Sequence, residues 1–358
     1  MKKLFFLFMT IAFVYEGAKG QGCVAIRSTG GFCSAPSAEH LKPSPWVVGI
    51  NNRYFKSFRH FVGTEEQEQR VENGTEVINH AYTMDILVTR NLNPRWSFTL
   101  DVPVLSNARS SLYEHDGKNR YSTHSFGVGD IRFTAYSWIL DPTKMPRGNI
   151  QVGLGLKLPT GDYRYQDFFV KSDSVKVLGP VDQSIQLGDG GTGVTTEVNA
   201  FYAFTHSISV YGNFFYLFNP REQNGTSTSR GAPPSASSIT YGSSTMSVPD
   251  QMMARAGIAF TDNHLGISVG VRDDCLPSQD LIGGSSGFRR PGYIISVEPG
   301  ITYTFKKINL YSYVPIALKR NRTQSYSDKL RTEKTGIYTH GDAAFADYVV
   351  NLGVAFRF

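Results

Sequence analysis

The sequence predicts an all-β protein, a transmembrane antiparallel up-and-down β-barrel of about 12 strands. Three observations lead to this prediction. The chain begins with an export signal, twelve segments of about ten residues alternate apolar with polar side chains, and the connections between these segments are alternately short and long. An up-and-down barrel with an even number of strands, short periplasmic turns and long external loops has this pattern, and both of its termini lie in the periplasm.

The start of the chain has the layout of a secretory signal peptide over residues 1–20. Two lysines precede an apolar run from Leu4 to Val14, and Ala18 and Gly20 provide the small residues of a cleavage site. The apolar run is too short to span a bilayer, which needs about 20 residues. Cys23 could mark a lipoprotein, but the aliphatic residue that lipoprotein signals carry before the cysteine is absent. We therefore expect cleavage by signal peptidase.

Residues 21–45 form a short N-terminal segment, which we expect in the periplasm. Cys23 and Cys33 lie close together there, and an oxidising compartment favours a disulfide between them. Such a small loop would contribute a little under the ~3 kcal/mol estimated for a 15-residue loop. The alternative is a pair of free thiols in a floppy tail. Cys275 is left over in a predicted loop and is expected to be free.

Composition narrows the class of protein further. Charged residues make up 18% of the chain, below the roughly 25% typical of soluble domains. No segment after Gly20 reaches 18 apolar residues, which excludes a helical membrane protein. The formal charge of +6 falls to +4 when the signal, with three positive and one negative residue, is removed. This small, dispersed excess does not indicate nucleic-acid binding.

The barrel is predicted to cover residues 46–358. Its expected strands are 46–60, 76–90, 95–106, 124–140, 148–159, 193–204, 207–219, 251–260, 264–273, 293–305, 308–320 and 346–358. A soluble β-sandwich also has regularly spaced short strands. The last strand favours the barrel, because residues 347–358 alternate throughout and end on Phe358, like the C-terminal signal read by the barrel-insertion machinery.

The period of two assigns side chains to the lipid or to the lumen. With Phe358 facing lipid, the predicted lumen contains six acidic and six basic residues: Asp85, Asp101, Asp130, Glu197, Glu298 and Asp347 against Arg132, Lys157, Arg255, Arg272, Lys319 and Arg357. These balanced charges could line a wet pore, or they could pair into a plug-like network without transport. The sequence leaves both possibilities open.

Four local patterns carry a resemblance to a known family. They begin at Asp101 (Asp-Val-Pro-Val-Leu), Gly127 (Gly-Val-Gly-Asp-Ile-Arg), Gly153 (Gly-Leu-Gly-Leu-Lys-Leu-Pro-Thr-Gly-Asp) and Gln186 (Gln-Leu-Gly-Asp-Gly-Gly-Thr-Gly). In this order they resemble the outer-membrane protein family of the meta-pathway of phenol degradation, a group of transporters. The resemblance implies passage of small solutes, aromatic or otherwise hydrophobic, across the outer membrane of a Gram-negative bacterium.

The glycines of these patterns also have a structural interpretation. Gly127, Gly129, Gly153 and Gly155 remove side chains from neighbouring strands. They leave room in the lumen for a ligand or for large side chains opposite, or they relieve crowding and let the strands bend.

Other functions were weighed against transport. A lipase of the outer membrane would need a Ser/His/Asn set at the lipid face, and His80, the histidine placed there, lacks the neighbouring lipase motifs. We therefore expect no catalytic residues, no metal ligands and no cofactor. The third class is an adhesin or scaffold that uses the long loop 224–249, which equally fits a flexible lid. The partners expected are lipid, lipopolysaccharide and a small solute; the sequence does not indicate the oligomeric state.

Overall fold

The computed structural model describes residues 44–358. In chain order, its first elements are β1 (Trp46–Val62), β2 (Glu65–Glu66), α1 (Gln69–Glu72), β3 (Ile78–Asn91), β4 (Trp96–Ser111), β5 (Tyr121–Val128), β6 (Arg132–Trp138), β7 (Gly148–Lys157), β8 (Gln166–Ser172), β9 (Val175–Pro180) and a 3-10 turn (Gln183–Ile185). They are followed by β10 (Gly193–Ala203), β11 (Ile208–Phe218), β12 (Gln223–Ser227), α2 (Ala236–Thr240), β13 (Thr245–Ser247), β14 (Gln251–Asp262), β15 (Leu265–Leu276), β16 (Gly292–Phe305), β17 (Ile308–Tyr313), β18 (Ile316–Arg322), α3 (Tyr326–Thr335) and β19 (Ala343–Arg357).

Twelve wall strands close into an antiparallel barrel, as predicted. β5 and β6 together make one wall strand, because both pair with β4, and β17 and β18 together make another, because both pair with β16 and β19. β19 pairs with β1 from Val47↔Arg357 to Phe61↔Ala343, and this pairing closes the sheet. The signal peptide and the Cys23–Cys33 disulfide fall outside the described residues and stay predictions.

Both divided wall strands differ from the continuous strands expected over 124–140 and 308–320. Between β17 and β18, Pro315 has no N–H to donate to the ladder, so regular pairing stops there. Between β5 and β6, the backbone N–H of Ile131 bonds the Thr160 hydroxyl at 2.9 Å instead of a neighbouring strand. The break after β5 therefore belongs to a tertiary contact that local sequence does not reveal.

The outer surface of the barrel is apolar. Exposed side chains on alternating wall positions form a band that includes Leu100, Phe133, Val152, Leu154, Ile258, Ile267, Val269, Val271, Leu310 and Leu352. Exposed aromatic rings follow the end where the short turns lie, namely Trp46, Trp96, Tyr202, Phe204, Phe260, Tyr303, Phe305 and Phe358. A contiguous apolar band edged by aromatic residues is typical of a barrel that sits in a bilayer.

The two ends of the barrel differ. At the short-turn end, the Phe358 N–H bonds the Trp46 carbonyl and the Asn91 N–H bonds the Pro45 carbonyl, both at 3.0 Å. The other end, here called the long-loop end, carries the hairpins β8–β9 and β12–β13 and the three α-helices found within residues 44–358. Among the described residues, no helix has the length and apolar character needed to cross a membrane.

Candidate functional site

The structure places nine of the twelve predicted lumen residues as buried side chains on the inner face of the wall. They are Asp85, Asp101, Asp130, Arg132, Lys157, Glu197, Arg255, Arg272 and Glu298. Arg357 is half-buried at the short-turn end. Asp347 lies beside an irregularity in the β1–β19 register and pairs with Arg320, at 2.6 Å, and with Arg59.

The prediction for Lys319 is wrong. A register shift in the β16–β18 pair sets Lys319 opposite Ile295 and Ala317 opposite Ser296, so one extra residue lies between them. An extra residue of this kind reverses the alternation beyond it. Lys319 is consequently exposed, near the ring of Tyr293, while Arg320 takes a half-buried position over the ring of Phe61.

A row of polar side chains crosses six neighbouring wall strands on the inner face. Successive contacts of 2.7–3.2 Å join Gln151, Asn199, Asn213, Arg255, Glu298 and Arg272. Arg272 adds a contact of 2.8 Å to Asp274. The charges in this part of the lumen are therefore neutralised by neighbours, as buried charges must be to avoid a large desolvation cost.

Side chains of neighbouring residues occupy the space that lumen glycines leave. A Cβ atom added to Gly153 would lie 2.6 Å from the ring of Tyr136, and one added to Gly127 would lie 2.8 Å from Leu187. Gly155 is confined in the same way between two threonine hydroxyls. Of the two readings open for these glycines, the structure thus shows close packing of neighbouring side chains.

The four family-like patterns meet in one place. The Asp130 carboxylate accepts the backbone N–H groups of Gly161, at 3.0 Å, and Asp189, at 3.1 Å. Lys157 bonds the Asp189 carboxylate and lies 3.6 Å from that of Asp130. One strand away, Arg132 is paired with the carboxylate of the first pattern, Asp101, at 2.5 Å. Residues far apart in sequence thus anchor a long-loop segment to the wall.

That segment, residues 181–191, folds into the mouth of the barrel. Val181 and Ile185 are fully buried. The Ser125 hydroxyl on β5 donates to the Ile185 carbonyl at 2.5 Å, and the Gln183 amide donates to the Ser247 carbonyl of the next long loop at 2.9 Å. The segment therefore spans from the wall to a second loop and forms a roof over the lumen.

Under this roof lies a cavity of about 130 Å³, here called the lumen cavity. Its wall side includes Arg53, Thr83, Arg132 and Lys157, and its roof side includes residues 183–189. Charged, hydroxyl and apolar groups all face it, so the cavity can accept a small solute with both polar and apolar parts.

A buried cluster of five charges, here called the loop latch, joins the loops of the long-loop end. It consists of Arg109, Glu114, Asp182, Arg230 and Arg290. Arg290 makes a two-point contact with Asp182 at 2.7 and 2.8 Å, and Arg109 and Arg230 each reach Glu114 at 2.8 Å. Asp182 also lies 3.5 Å from Arg109 and 3.7 Å from Arg230. Four loops and the end of β4 are tied together by these contacts.

The latch carboxylates stay ionised at neutral pH. Burial acts to raise the pKa of Asp182, but Arg109 and Arg290 outweigh burial and hold that pKa well below its ordinary value. Burial also acts to raise the pKa of Glu114, but the charges of Arg109 and Arg230 outweigh burial and leave that pKa lowered. Three guanidinium groups face two carboxylates, so one positive charge remains in the cluster.

Three cavities follow one another from the outside to the lumen. The outermost, here called the vestibule, measures about 360 Å³, and a middle cavity measures about 130 Å³. The vestibule and the middle cavity share Arg230, Ser243 and Phe288. The middle cavity shares Met246 with the lumen cavity, and the vestibule shares Arg290 with the lumen cavity. The latch residue Arg230 therefore lies between the vestibule and the middle cavity, and Met246 lies between the middle cavity and the lumen cavity.

Sequence reasoning did not find the latch. Arg109 lies beyond the predicted end of its strand, and the other four members lie in loops. Loops have no side-chain periodicity, so parity could not indicate which of their charges meet. The pairing of charges within the lumen, in contrast, was one of the two possibilities left open.

The residues considered for catalysis and metal binding lie apart from this path. His80 is exposed on the outer face, where its ring nitrogen lies 2.8 Å from the Tyr54 hydroxyl. Cys275 lies within β15, not in a loop, and forms no disulfide with any residue from 44 to 358. Within the same range, no group of three or more His, Cys, Asp or Glu side chains is arranged to hold a metal ion.

Comparison with known proteins supports the fold. No family model matches the chain, so the resemblance of the four patterns to the phenol-degradation family stays a prediction. The structure is similar to that of an outer membrane channel from Pseudomonas putida F1, with a TM-score of 0.58, 12% identity, and coverage of 93% of this chain and 100% of that chain. Two further structures are more distant. A Pseudomonas aeruginosa FadL homologue has a TM-score of 0.45 and 8% identity, with coverage of 94% of this chain and 100% of that chain. The P. putida toluene transporter TodX has a TM-score of 0.43 and 9% identity, with coverage of 95% of this chain and 99% of that chain. The chain has the fold of an outer-membrane β-barrel.

Proposed function

We propose that this protein is an outer-membrane channel for the passive uptake of small solutes, aromatic or otherwise hydrophobic, in a Gram-negative bacterium. Export through the signal peptide of residues 1–20 and insertion through the C-terminal Phe358 would bring it there. The apolar band and the exposed aromatic residues around the short-turn end support this location. In this orientation the short-turn end faces the periplasm. The family resemblance of the four patterns supports the class of solute.

The observation that carries the proposal is the row of three cavities. They lead from the vestibule through the long loops to the lumen cavity, and the residues that they share lie in the long loops, not in strands of the wall. Side chains and loops can move on the microsecond timescale, so these residues allow transient passage without any change in the barrel.

The path of the loop over 224–249 favours a channel over an adhesin. Asn224, Met246, Ser247 and Pro249 line the lumen cavity, so both ends of this loop fold towards the barrel interior. An adhesin or scaffold would instead be expected to present its long loop to a partner outside.

The test is to fill the lumen cavity and measure conduction. Thr83 on β3 lines that cavity, while its neighbour Met84 points to the opposite face of the wall. In Thr83→Trp we expect lower conductance in planar bilayers and slower uptake of small aromatic solutes into vesicles. The matched variant Met84→Trp adds the same ring on the other face and is expected to behave like the wild type.

Two outcomes would contradict the proposal. One is a folded wild-type protein that passes neither ions nor solutes. The other is equal conduction in both tryptophan variants, because the lumen cavity would then lie off the path. In the first case the scaffold interpretation takes the place of transport, and in the second the proposed path through the lumen cavity is wrong.

A further inference from the structure

The vestibule carries more positive than negative side chains. Its lining includes the guanidinium groups of Arg230, Arg289, Arg290, Arg322 and Arg331 but only two carboxylates, Asp328 and Asp342. A cavity lined by an excess of one sign concentrates small ions of the opposite sign.

Both vestibule carboxylates are engaged by groups of their own. Asp328 accepts the Ser325 N–H at 2.8 Å and pairs with Arg322 at 3.1 Å. Asp342 contacts His60 at 2.9 Å and Arg70 at 2.5 Å. Burial would raise the pKa of Asp342, but the hydrogen bonds and charges of His60 and Arg70 lower it below its ordinary range. Asp328 thus neutralises Arg322, and Asp280, which lies outside the lining, neutralises Arg289 at 2.6 Å.

Arg331 is the vestibule cation best placed to meet a solute. It is exposed, and it forms no ion pair with any residue of the described range 44–358. Its guanidinium lies over the ring of Tyr241, 5.3 Å from the centroid. Stacking on an aromatic ring holds a guanidinium in place and leaves its N–H groups directed outwards, where they suit a carboxylate.

Further donors face the same cavity. Arg230 and Ser327 are among its lining residues and carry N–H and O–H groups. The rings of Tyr241 and Phe288 give the cavity flat apolar surfaces beside these donors.

We propose that the vestibule binds small organic carboxylates that carry a flat apolar group, and that Arg331 is the residue that contacts their carboxylate. This inference rests on the proposed channel function and narrows its solute class to anions. The balanced lumen alone would give weak ion selectivity, so the vestibule is the part of the path that distinguishes anions from neutral solutes.

The experiment measures binding separately from conduction. Sodium benzoate and benzyl alcohol, which have the same ring but differ in charge, are titrated into detergent-solubilised protein by calorimetry. We expect benzoate to bind more tightly than benzyl alcohol, and Arg331→Gln to weaken benzoate binding by about fivefold, the size expected for an exposed ion pair. The control Lys329→Gln removes the same charge two residues away on α3, outside the vestibule lining, and is expected to have no effect.

Equal affinities for the two compounds would overturn the inference, and so would equal losses in the two variants. Such results leave the channel itself intact if the wild type still conducts and takes up neutral solutes. Conversely, a wild type that binds benzoate but does not conduct would remove the proposed function and retain the binding site.

Discussion

Replacement of Asp182 by asparagine is expected to open the long-loop end without disturbing the barrel. Asp182 holds Arg290 by two contacts and lies within 3.7 Å of two more guanidinium groups. Asparagine has nearly the same shape and can still accept the Ser184 N–H that Asp182 caps at 3.0 Å. The substitution therefore removes the charge and little else.

The size of the effect follows from burial. Removing one partner of a buried ion pair typically costs about 3–5 kcal/mol, because the remaining charge is left without compensation. Here three guanidinium groups would face Glu114 alone. A loss of that size shifts the balance between closed and open loops by about two to four orders of magnitude. Since Asp182 lies outside the wall strands, the unfolding of the barrel is expected to be unchanged.

Two assays measure the opening. Single-channel recording should show higher conductance or more frequent open events, and limited proteolysis should cleave the loops faster. The matched control is Asp173→Asn, because Asp173 is exposed at the tip of the β8–β9 hairpin in the same long loop and forms no ion pair with any other described residue. If both variants match the wild type in both assays, the latch does not hold the loops closed.

Three further predictions follow from the same contacts. Because the pKa values of Asp182 and Glu114 are lowered in the folded protein, the stability that these carboxylates contribute to the closed loops is present above about pH 4 and is lost as the pH falls further. Conductance should therefore be constant from about pH 8 to pH 5 and rise only below about pH 4. A rise in conductance between pH 7 and pH 5 would refute this prediction. In the proposed orientation, a cysteine at the exposed loop residue Ser237 should react with an impermeant label on whole cells, whereas one at Asn93 in a short turn should not; the reverse result would invert the topology. Glu298→Gln removes the carboxylate shared by two buried arginines and should lower the free energy of unfolding of the barrel by about 3 kcal/mol or more. We expect a lower denaturant midpoint, and an unchanged midpoint would contradict the prediction.

The convergence of the four family-like patterns gives them a physical role. Asp130, Lys157 and Asp189 form one set of contacts that holds the inward segment against the wall. The glycines at Gly161 and Gly188 are needed for this approach, since a Cβ at Gly161 would lie 2.6 Å from the Leu187 carbonyl oxygen and one at Gly188 would lie 2.4 Å from the Asp130 carboxylate. Any larger residue at these two positions would push the roof away from the wall.

The sequence by itself determined the barrel, its twelve wall strands, the short and long connections and most of the inner-face residues. All of these depend on one local rule: side chains alternate between the two faces of a strand, so apolar and polar residues alternate in the sequence with a period of two. Nine of the assigned charges, Glu298 among them, lie buried on the inner face for this reason. The rule failed at Lys319, because one extra residue in the ladder reversed the alternation and no local signal marked that position.

The tertiary structure alone decided how the mouth of the barrel is closed. The path of residues 181–191, the latch around Asp182 and the arginine-rich vestibule bring together side chains from loops that are far apart in sequence. A loop has no periodicity to direct its side chains, and a buried ion pair forms only where two chains already lie close. Which charges meet is therefore a property of the closed barrel and its packed loops.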